Sequence, residues 1–236
     1  SWLDHARAYV DAVTSRFGLN GDSRVVEIAS NDGYLLQYFI AKGVPVLGIE
    51  PAKNVAQTAL QKGIPTVVQF FGDEMALDLA RDGKQADLIA GNNVLAQVPD
   101  LKGFIRGLKI LLRERGVITL EFPHLMRLME ENQFDTIYHE HFSYFTLTTI
   151  RALFGRHDLK VFDVEELSSH GGSLRIYACH QDDSTKPVGE RVETLSSREE
   201  TVGFTKLEQY LGFGERVKET KRRFVEFLIK AKNEGK

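Results

Sequence analysis

The stretch Arg24-Val25-Val26-Glu27-Ile28-Ala29-Ser30-Asn31-Asp32-Gly33 joins an apolar segment to a turn of small and polar residues. Residues 24–28 have the apolar character of a buried strand, and residues 34–42, after the turn, are spaced as in a helix. Small residues at such a turn let a ligand approach the backbone closely. The stretch therefore predicts the first strand of an α/β sheet, with a ligand site at the carboxyl end of that strand.

The same alternation of apolar segments and helical patterns continues toward the carboxyl end. Each apolar segment is short and almost continuous, as expected for strands that are covered on both faces. A glycine-containing turn at residues 168–172 joins the last two segments into a hairpin. We therefore predict a doubly wound, mostly parallel seven-stranded sheet with a terminal antiparallel hairpin. The predicted strands are 24–28, 45–49, 66–70, 87–91, 116–121, 159–167 and 173–180, and the predicted helices between them include 52–62, 73–81 and 101–113.

Helices are predicted at both ends of the chain. Residues 1–18 have apolar side chains at helical spacing, and residues 186–236 form a charge-rich helical extension. Phe224, Phe227 and Leu228 give that extension an apolar stripe, which predicts a packed helix. We expect one ligand-binding domain over residues 1–185 and the extension over 186–236. Because the sequence starts with Ser1 and not with Met, we expect it to be part of a longer chain.

Composition excludes several classes of protein. The 236 residues are 42% hydrophobic and 27% charged, with a formal net charge of −3. This balance gives no electrostatic footprint for nucleic acid or for an anionic membrane surface. A single cysteine, Cys179, excludes an internal disulfide bond and a multi-cysteine zinc site. We therefore expect a cytoplasmic enzyme or binding domain that acts on a small molecule.

Several polar and aromatic residues follow the predicted strands at the edge where a ligand would bind. The dinucleotide fingerprint G-x-G-x-x-G is absent, and the 27–33 turn is similar in spacing to the loop of class I methyltransferases that bind S-adenosylmethionine. A carboxylate after the second strand can accept both ribose hydroxyls, aromatic residues after the third can stack on adenine, and two asparagines after the fourth can reach the methionine end. Helix-dipole stabilisation, core packing and turn formation are the structural alternatives for these residues. The predicted cofactor-binding residues are Glu27, Ala29, Ser30, Asn31, Asp32, Gly33, Glu50, Pro51, Phe70, Phe71, Asn92 and Asn93.

Three motifs together resemble the bacterial sugar C-methyltransferases, which use S-adenosylmethionine and act on nucleotide-linked keto-deoxysugars. They are residues 27–36 (EIASNDGYLL), residues 133–145 (QFDTIYHEHFSYF) and residues 170–175 (HGGSLR). The resemblance implies a Rossmann-like class I methyltransferase fold, S-adenosylhomocysteine as a product and a role in deoxysugar biosynthesis. Members also carry an N-terminal cysteine-rich zinc module and a further C-terminal α/β domain, so this chain would be the central domain, with flanking domains outside it. Ala29 stands where the family has the first glycine of the loop.

The 133–145 segment, here called the catalytic loop, contains the groups that C-methylation requires. A base must remove a proton beside a ketone, and the resulting enolate then attacks the methyl group in line. The resemblance implies that Tyr138, Glu140 and His141 are catalytic, with neutral His141 as the base. A buried polar network without chemistry is the structural alternative. No metal is predicted, because H-E-H lacks the spacing of the H-E-x-x-H zinc motif.

Four residues are expected to contact the substrate. They are His124, Tyr144, Ser173 and Arg175. Arginine suits phosphate geometry, although the alternation of Leu174, Ile176 and Ala178 puts Arg175 on the opposite face of its strand. Alternatively, these residues have only a structural role in the turns and strands that contain them.

Three other functions remain open from the sequence. The first is methyl transfer to oxygen or nitrogen of another small molecule. The second is a non-catalytic domain that binds S-adenosylmethionine or a partner protein. The third is a nicotinamide-dependent dehydrogenase, which the missing G-x-G-x-x-G disfavours.

Overall fold

The fully buried strand β1 (Val25–Ile28) lies near the middle of the sheet. In the computed structural model, which describes residues 1–236, β1 pairs in parallel with β2 (Val46–Ile49) on one side and with β4 (Ala86–Asn92) on the other. Strand β3 (Thr66–Val67) extends the sheet beyond β2, and β5 (Leu112–Pro123) extends it beyond β4. These parallel strands have the nearly continuous apolar sequence that double-sided burial requires.

An antiparallel hairpin completes the sheet. Strand β7 (Ser173–His180) inserts between β5 and β6 (Leu159–Leu167) and runs antiparallel to both. The strand order is β3-β2-β1-β4-β5-β7-β6. The turn uses positive φ angles at Gly171 (74°) and Gly172 (116°), a conformation that glycine adopts at little cost. The predicted mostly parallel seven-stranded sheet with a terminal hairpin is confirmed.

Helices cover both faces of the sheet, as the doubly wound prediction requires. One face packs against α1, α2 and α3, and the other against α4, α5, α7 and α8, each through its buried apolar residues. The helices are α1 (Trp2–Phe17), α2 (Leu36–Ile40), α3 (Lys53–Gln61), α4 (Asp73–Arg81), α5 (Leu101–Leu111), α6 (Leu125–Glu130), α7 (Leu147–Gly155), α8 (Glu190–Val202) and α9 (Leu207–Asn233).

Two strand boundaries differ from the prediction by three residues or more. Strand β5 starts at Leu112, which was expected to lie in a helix, because Leu112 pairs with Ala86 and thereby ends α5. Strand β3 ends at Val67 and not at Phe70. Since β3 is one of the two edge strands, residues 68–70 have no outer neighbour to hold them in the sheet. They turn away instead, and Phe70 is exposed.

The predicted helical extension consists of two helices with different surroundings. Helix α8 buries Val192 and Leu195 in the core. Helix α9 has no buried residue, although Tyr210 and Phe213 pack against a small cluster of α6 side chains and Phe204. The apolar stripe that was expected to be packed, Phe224, Phe227 and Leu228, is exposed in this chain. None of the helices combines the length and apolarity needed to cross a bilayer.

Candidate functional site

A cleft of about 850 Å³ opens at the carboxyl ends of β1, β2 and β4. This is the edge at which open α/β sheets bind ligands. Most of the residues predicted to bind the cofactor line it: Ala29, Asn31, Asp32, Glu50, Pro51, Phe70, Phe71, Asn92 and Asn93. The sequence-based prediction and the geometry therefore point to the same part of the fold.

The turn after β1 is shaped by its backbone and by Glu50. Ala29 and Asn31 both have positive φ angles, 57° and 50°. The Asn31 N–H donates to Oε2 of Glu50 (3.1 Å), and the Ala52 N–H donates to Oε1 of the same carboxylate (2.8 Å). Glu50 thus ties the turn to the start of α3, and each of its oxygens keeps a lone pair for a ligand hydroxyl.

Three predicted cofactor residues support the cleft from below and do not line it. A Cβ atom at Gly33, whose φ is 78°, would collide with Ile64. The Oγ of Ser30 is buried against Gly48, where a Cβ atom would lie 2.5 Å from it. Glu27 is 1% exposed. Burial, together with the carboxylates of Asp32 and Glu50, raises the pKa of Glu27 well above its ordinary value.

The inner end of the cleft favours a cation that donates hydrogen bonds. The carboxylates of Asp32 and Glu50 make the region negative, and of these two only Asp32 has a lysine partner, Lys62 at 2.6 Å. Buried acceptor atoms without a partner lie in the same region. They are the Oδ1 atoms of the lining residues Asn92 and Asn93. A bound ammonium group would satisfy such acceptors, since an unpaired buried acceptor costs free energy.

The outer end of the cleft is apolar. Phe70 is 80% exposed, and Phe71 packs edge-on against Phe104 with ring centroids 5.3 Å apart. Val98 and Pro99 continue the apolar lining. Such a surface suits a flat heteroaromatic ring, because aromatic side chains offer faces for stacking.

Several lining residues were missed by the sequence analysis: Trp2, Tyr34, Gln97 and Phe104. Tyr34 directly follows the predicted loop, and Gln97 comes five residues after β4 ends, so their positions along the chain were a usable signal. Trp2 had no such signal. It reaches the cleft only because α1 packs against the sheet, where its ring stacks on His5 at a centroid distance of 5.2 Å.

The catalytic loop is attached to the rim of this cleft. The backbone N–H groups of Phe142 and Ser143 donate to the carbonyl oxygen of Ala96 (2.8 and 3.3 Å), which directly precedes the lining residue Gln97. Within the loop, the rings of Tyr138 and His141 are 4.5 Å apart, and the rings of His141 and Tyr144 are 5.5 Å apart. The loop therefore gathers three of the predicted site residues beside the cleft, although none of them lines it.

His141 has the properties of a base at neutral pH. Burial lowers its pKa below the ordinary value, while the nearby Glu140 carboxylate opposes that shift. Its Nδ1 atom is buried without a hydrogen-bond partner. Tyr138 is 45% exposed, and Glu140 is also exposed, so both side chains can reach a ligand above the loop.

The other residues expected to contact substrate lie elsewhere. The Oγ of Ser173 donates to the Ser169 carbonyl (3.0 Å), and Arg175 forms a buried ion pair with Glu121 (2.6 Å) under α1. His124 is 1% exposed and is bonded to Glu199 (2.8 Å). Strand alternation explains the position of Arg175. Its side chain lies on the same face of the sheet as Tyr177 and Cys179, and α1 covers that face. Of the four expected substrate residues, only Tyr144 lies with the catalytic loop.

Comparison with known proteins identifies matches over almost the whole chain. The model of the methyltransferase-domain family matches residues 2–164. The model described as C-methyltransferase C-terminal domain matches residues 168–236. C-methyltransferase NovU of Streptomyces niveus is 39% identical over 178 residues, which are 75% of this chain and 42% of NovU. The chain thus spans less than half the length of this relative.

Solved structures share the fold at low sequence identity. A magnesium protoporphyrin IX methyltransferase (ChlM) from Synechocystis, with bound SAH, superposes with a TM-score of 0.57 at 16% identity and covers 75% of this chain and 83% of ChlM. An S-adenosylmethionine-dependent methyltransferase from Clostridium acetobutylicum has a TM-score of 0.59 at 12% identity, covering 74% of this chain and 90% of that one. At these identities the likeness establishes the fold alone.

Proposed function

Because the chain belongs to the family of methyltransferase domains, we propose that it transfers a methyl group from S-adenosylmethionine to a carbon atom of a nucleotide-linked keto-deoxysugar. The observation that carries this proposal is the attachment of the catalytic loop, which contains His141, to Ala96 at the rim of the cleft. This arrangement supports the assignment of His141 as a neutral base beside a site that favours a cation. The match of residues 168–236 to a C-methyltransferase domain, and the identity with NovU, support carbon as the acceptor.

The residues of the cleft fit S-adenosylmethionine. Its sulfonium and ammonium groups suit the negative inner end formed by Asp32 and Glu50, and the unpartnered Oδ1 atoms of Asn92 and Asn93 suit the ammonium hydrogens. Glu50 would accept hydrogen bonds from the ribose hydroxyls, and the apolar outer end with Phe70 would hold the adenine. When bound, the cofactor supplies a methyl group that is already activated for transfer, so the protein has to bind, align and deprotonate.

The catalytic loop supplies the acid–base chemistry. Neutral His141 takes the proton from the carbon beside the ketone and becomes an imidazolium, while the electron pair of the C–H bond becomes an enolate. The Tyr138 hydroxyl donates a hydrogen bond to the enolate oxygen and stabilises its charge. Glu140 accepts from a sugar hydroxyl and favours the imidazolium. With the cofactor bound, the nucleophilic carbon would form its bond to the methyl group in line as the methyl–sulfur bond breaks, so that S-adenosylhomocysteine leaves and the ketone is restored.

Substitution of the base tests this proposal. The His141→Ala variant is expected to lose at least 100-fold in kcat on a nucleoside-diphosphate keto-deoxysugar, with the affinity for S-adenosylhomocysteine unchanged. Methyl-¹³C donor and NMR of the product identify the methylated atom, and isothermal titration calorimetry measures the affinity. His157→Ala, at a histidine beyond the end of α7, is the matched control.

Two results would contradict the proposal. Full activity in His141→Ala would remove His141 as the base. A product methylated on oxygen or nitrogen would show that the acceptor is not carbon. In a separate reaction, wild-type protein with S-adenosylhomocysteine and the same sugar in ²H₂O should exchange the proton beside the ketone, because deprotonation needs no methyl transfer.

A further inference from the structure

The C-terminal part of the chain reaches back to the catalytic loop through Glu199 of α8. This side chain is completely buried, and both of its carboxylate oxygens are used. Oε1 accepts from the Leu147 N–H (2.7 Å) and bonds Nε2 of His124 (2.8 Å). Oε2 accepts from the N–H (2.8 Å) and the Oγ1 hydroxyl (2.6 Å) of Thr148. Four hydrogen bonds thus converge on one carboxylate from two distant parts of the chain.

The charge state of Glu199 follows from these contacts. Burial alone would raise its pKa, but the hydrogen bonds from His124, Thr148 and Leu147 outweigh burial and hold the pKa below its ordinary value. Glu199 is therefore ionised, and His124 donates through Nε2. The carboxylate of Glu199 also accepts hydrogen bonds from the first N–H groups of α7. A negative charge there is stabilised by the positive N-terminal end of the helix.

Those donors lie at the point where the catalytic loop ends. Leu147 and Thr148 form the first turn of α7, directly after the loop, and the Thr146 side chain caps the next N–H. The strand-like contact of His124 with Phe145, in which the Leu125 N–H donates to the Phe145 carbonyl (2.9 Å), holds the loop from the other side.

Tyr144 connects the end of the catalytic loop to His141, the proposed base. Tyr144 directly precedes the buried Phe145, and its ring lies against that of His141, with 5.5 Å between the centroids. The Tyr144 hydroxyl also donates weakly to the Thr136 carbonyl within the loop (3.4 Å). A displacement of residues 145–148 would therefore be passed through Tyr144 to the imidazole of His141.

We infer that Glu199 is a positioning residue for His141: by holding the start of α7 and His124 together, it fixes the end of the catalytic loop at the rim of the cleft. The inference rests on the proposed function, in which His141 is the base. It also gives His124 a role in place of substrate contact, because its imidazole joins β5 to the same carboxylate. By this inference α8 acts as part of the catalytic unit.

A carboxylate is required because four donors must be satisfied at once. Glutamine has the same shape, but its amide nitrogen is itself a donor and cannot accept from an N–H group. In Glu199→Gln at least one buried donor on Leu147, Thr148 or His124 is therefore left without an acceptor. The loss falls on the loop end, because Leu147 and Thr148 follow the loop and His124 contacts Phe145, its last residue.

The test compares Glu199→Gln with Glu193→Gln. Glu193 lies on the same helix and also pairs with α7, through Arg151 (3.0 Å), but it is exposed and makes no contact with the loop. Hydrogen–deuterium exchange of residues 133–148 should become at least ten-fold faster in Glu199→Gln. On the nucleoside-diphosphate keto-deoxysugar, kcat should fall at least ten-fold, while the Kd for S-adenosylhomocysteine stays within two-fold. Glu193→Gln should leave all three quantities unchanged.

A milder variant covers the case in which Glu199→Gln does not fold. Thr148→Val keeps the shape of the side chain and removes only the hydroxyl donor to Oε2, so faster exchange confined to residues 133–148 is expected. Wild-type exchange of these residues in either folded variant would overturn the inference. The exchange measurement needs no acceptor substrate, so it would still decide the role of Glu199 if the His141→Ala experiment contradicted the proposed function.

Discussion

At the scale of single residues, Glu121 shows how burial determines the partners of a side chain. Glu121 is fully buried in β5, with Arg175 at 2.6 Å, His5 at 3.0 Å and the Ser169 hydroxyl at 2.9 Å. Burial alone would raise its pKa, but these contacts, Arg175 foremost, hold the pKa below its ordinary value. Arg175 is therefore committed to Glu121 and to the Tyr9 ring, 4.6 Å away.

We expect Arg175→Met to destabilise the fold by about 3–5 kcal/mol at pH 8, because it leaves a buried carboxylate without its counter-charge. In the wild type, the lowered pKa of Glu121 means that the pair stabilises the fold above the unfolded-state pKa and less as the pH falls. In the variant the pKa rises instead, so protonation relieves the cost. The difference in unfolding free energy between variant and wild type should shrink from pH 8 to pH 5, measured by guanidinium denaturation.

The matched control is Arg113→Met, which removes a partly exposed partner of Asp87. It should cost under about 1 kcal/mol. If the loss of unfolding free energy in Arg175→Met were the same at pH 8 and at pH 5, the expected change in the pKa of Glu121 would be contradicted. The ion pair itself could not be predicted from the sequence, because its two members are 54 residues apart and meet only through the pairing of β5 with β7.

At the scale of elements, local pattern predicted the hairpin closely and was less accurate for β3 and for the junction of α5 with β5. The hairpin strands β6 and β7 have the predicted bounds, and the helix over residues 73–81 is also as predicted. Strand β3 was overestimated, since the apolar residues up to Phe70 predict a strand but have no outer neighbour. Phe70 is instead exposed in the cleft lining, a placement that only the sheet order explains.

The two ends of α9 should respond differently to substitution. Phe213 is half-buried against the Met126 and Met129 cluster, whereas Phe224 is 59% exposed. We expect Phe213→Ser to lower the free energy of unfolding by about 1–2 kcal/mol, through lost apolar burial. Phe224→Ser should change it by less than about 0.5 kcal/mol. Thermal denaturation at one protein concentration measures both, and an equal loss in the two variants would show that the exposed end is packed in solution.

At the scale of the whole molecule, ligand binding should stabilise the fold by mass action. The cleft joins residues from β1, β2, β4 and α1, so a bound ligand holds separate elements together. S-adenosylhomocysteine at 100 times its Kd should contribute about 2.7 kcal/mol. For a domain of this size that is a rise in Tm of roughly 5–10 °C. Scanning calorimetry with S-adenosylhomocysteine, and with NAD at the same concentration as control, measures the effect, and a rise with NAD alone would favour the dehydrogenase alternative.

The buried carboxylate of Glu199 also has a consequence for the time at which the protein becomes competent during its synthesis. All sheet strands precede it, since β7 ends at His180. A nascent chain could therefore assemble the sheet and the cleft while Glu199 was still inside the ribosomal tunnel, with the first turn of α7 uncapped on that side. The catalytic loop would be completed only after α8 had emerged, so ligand binding would precede catalytic competence during translation.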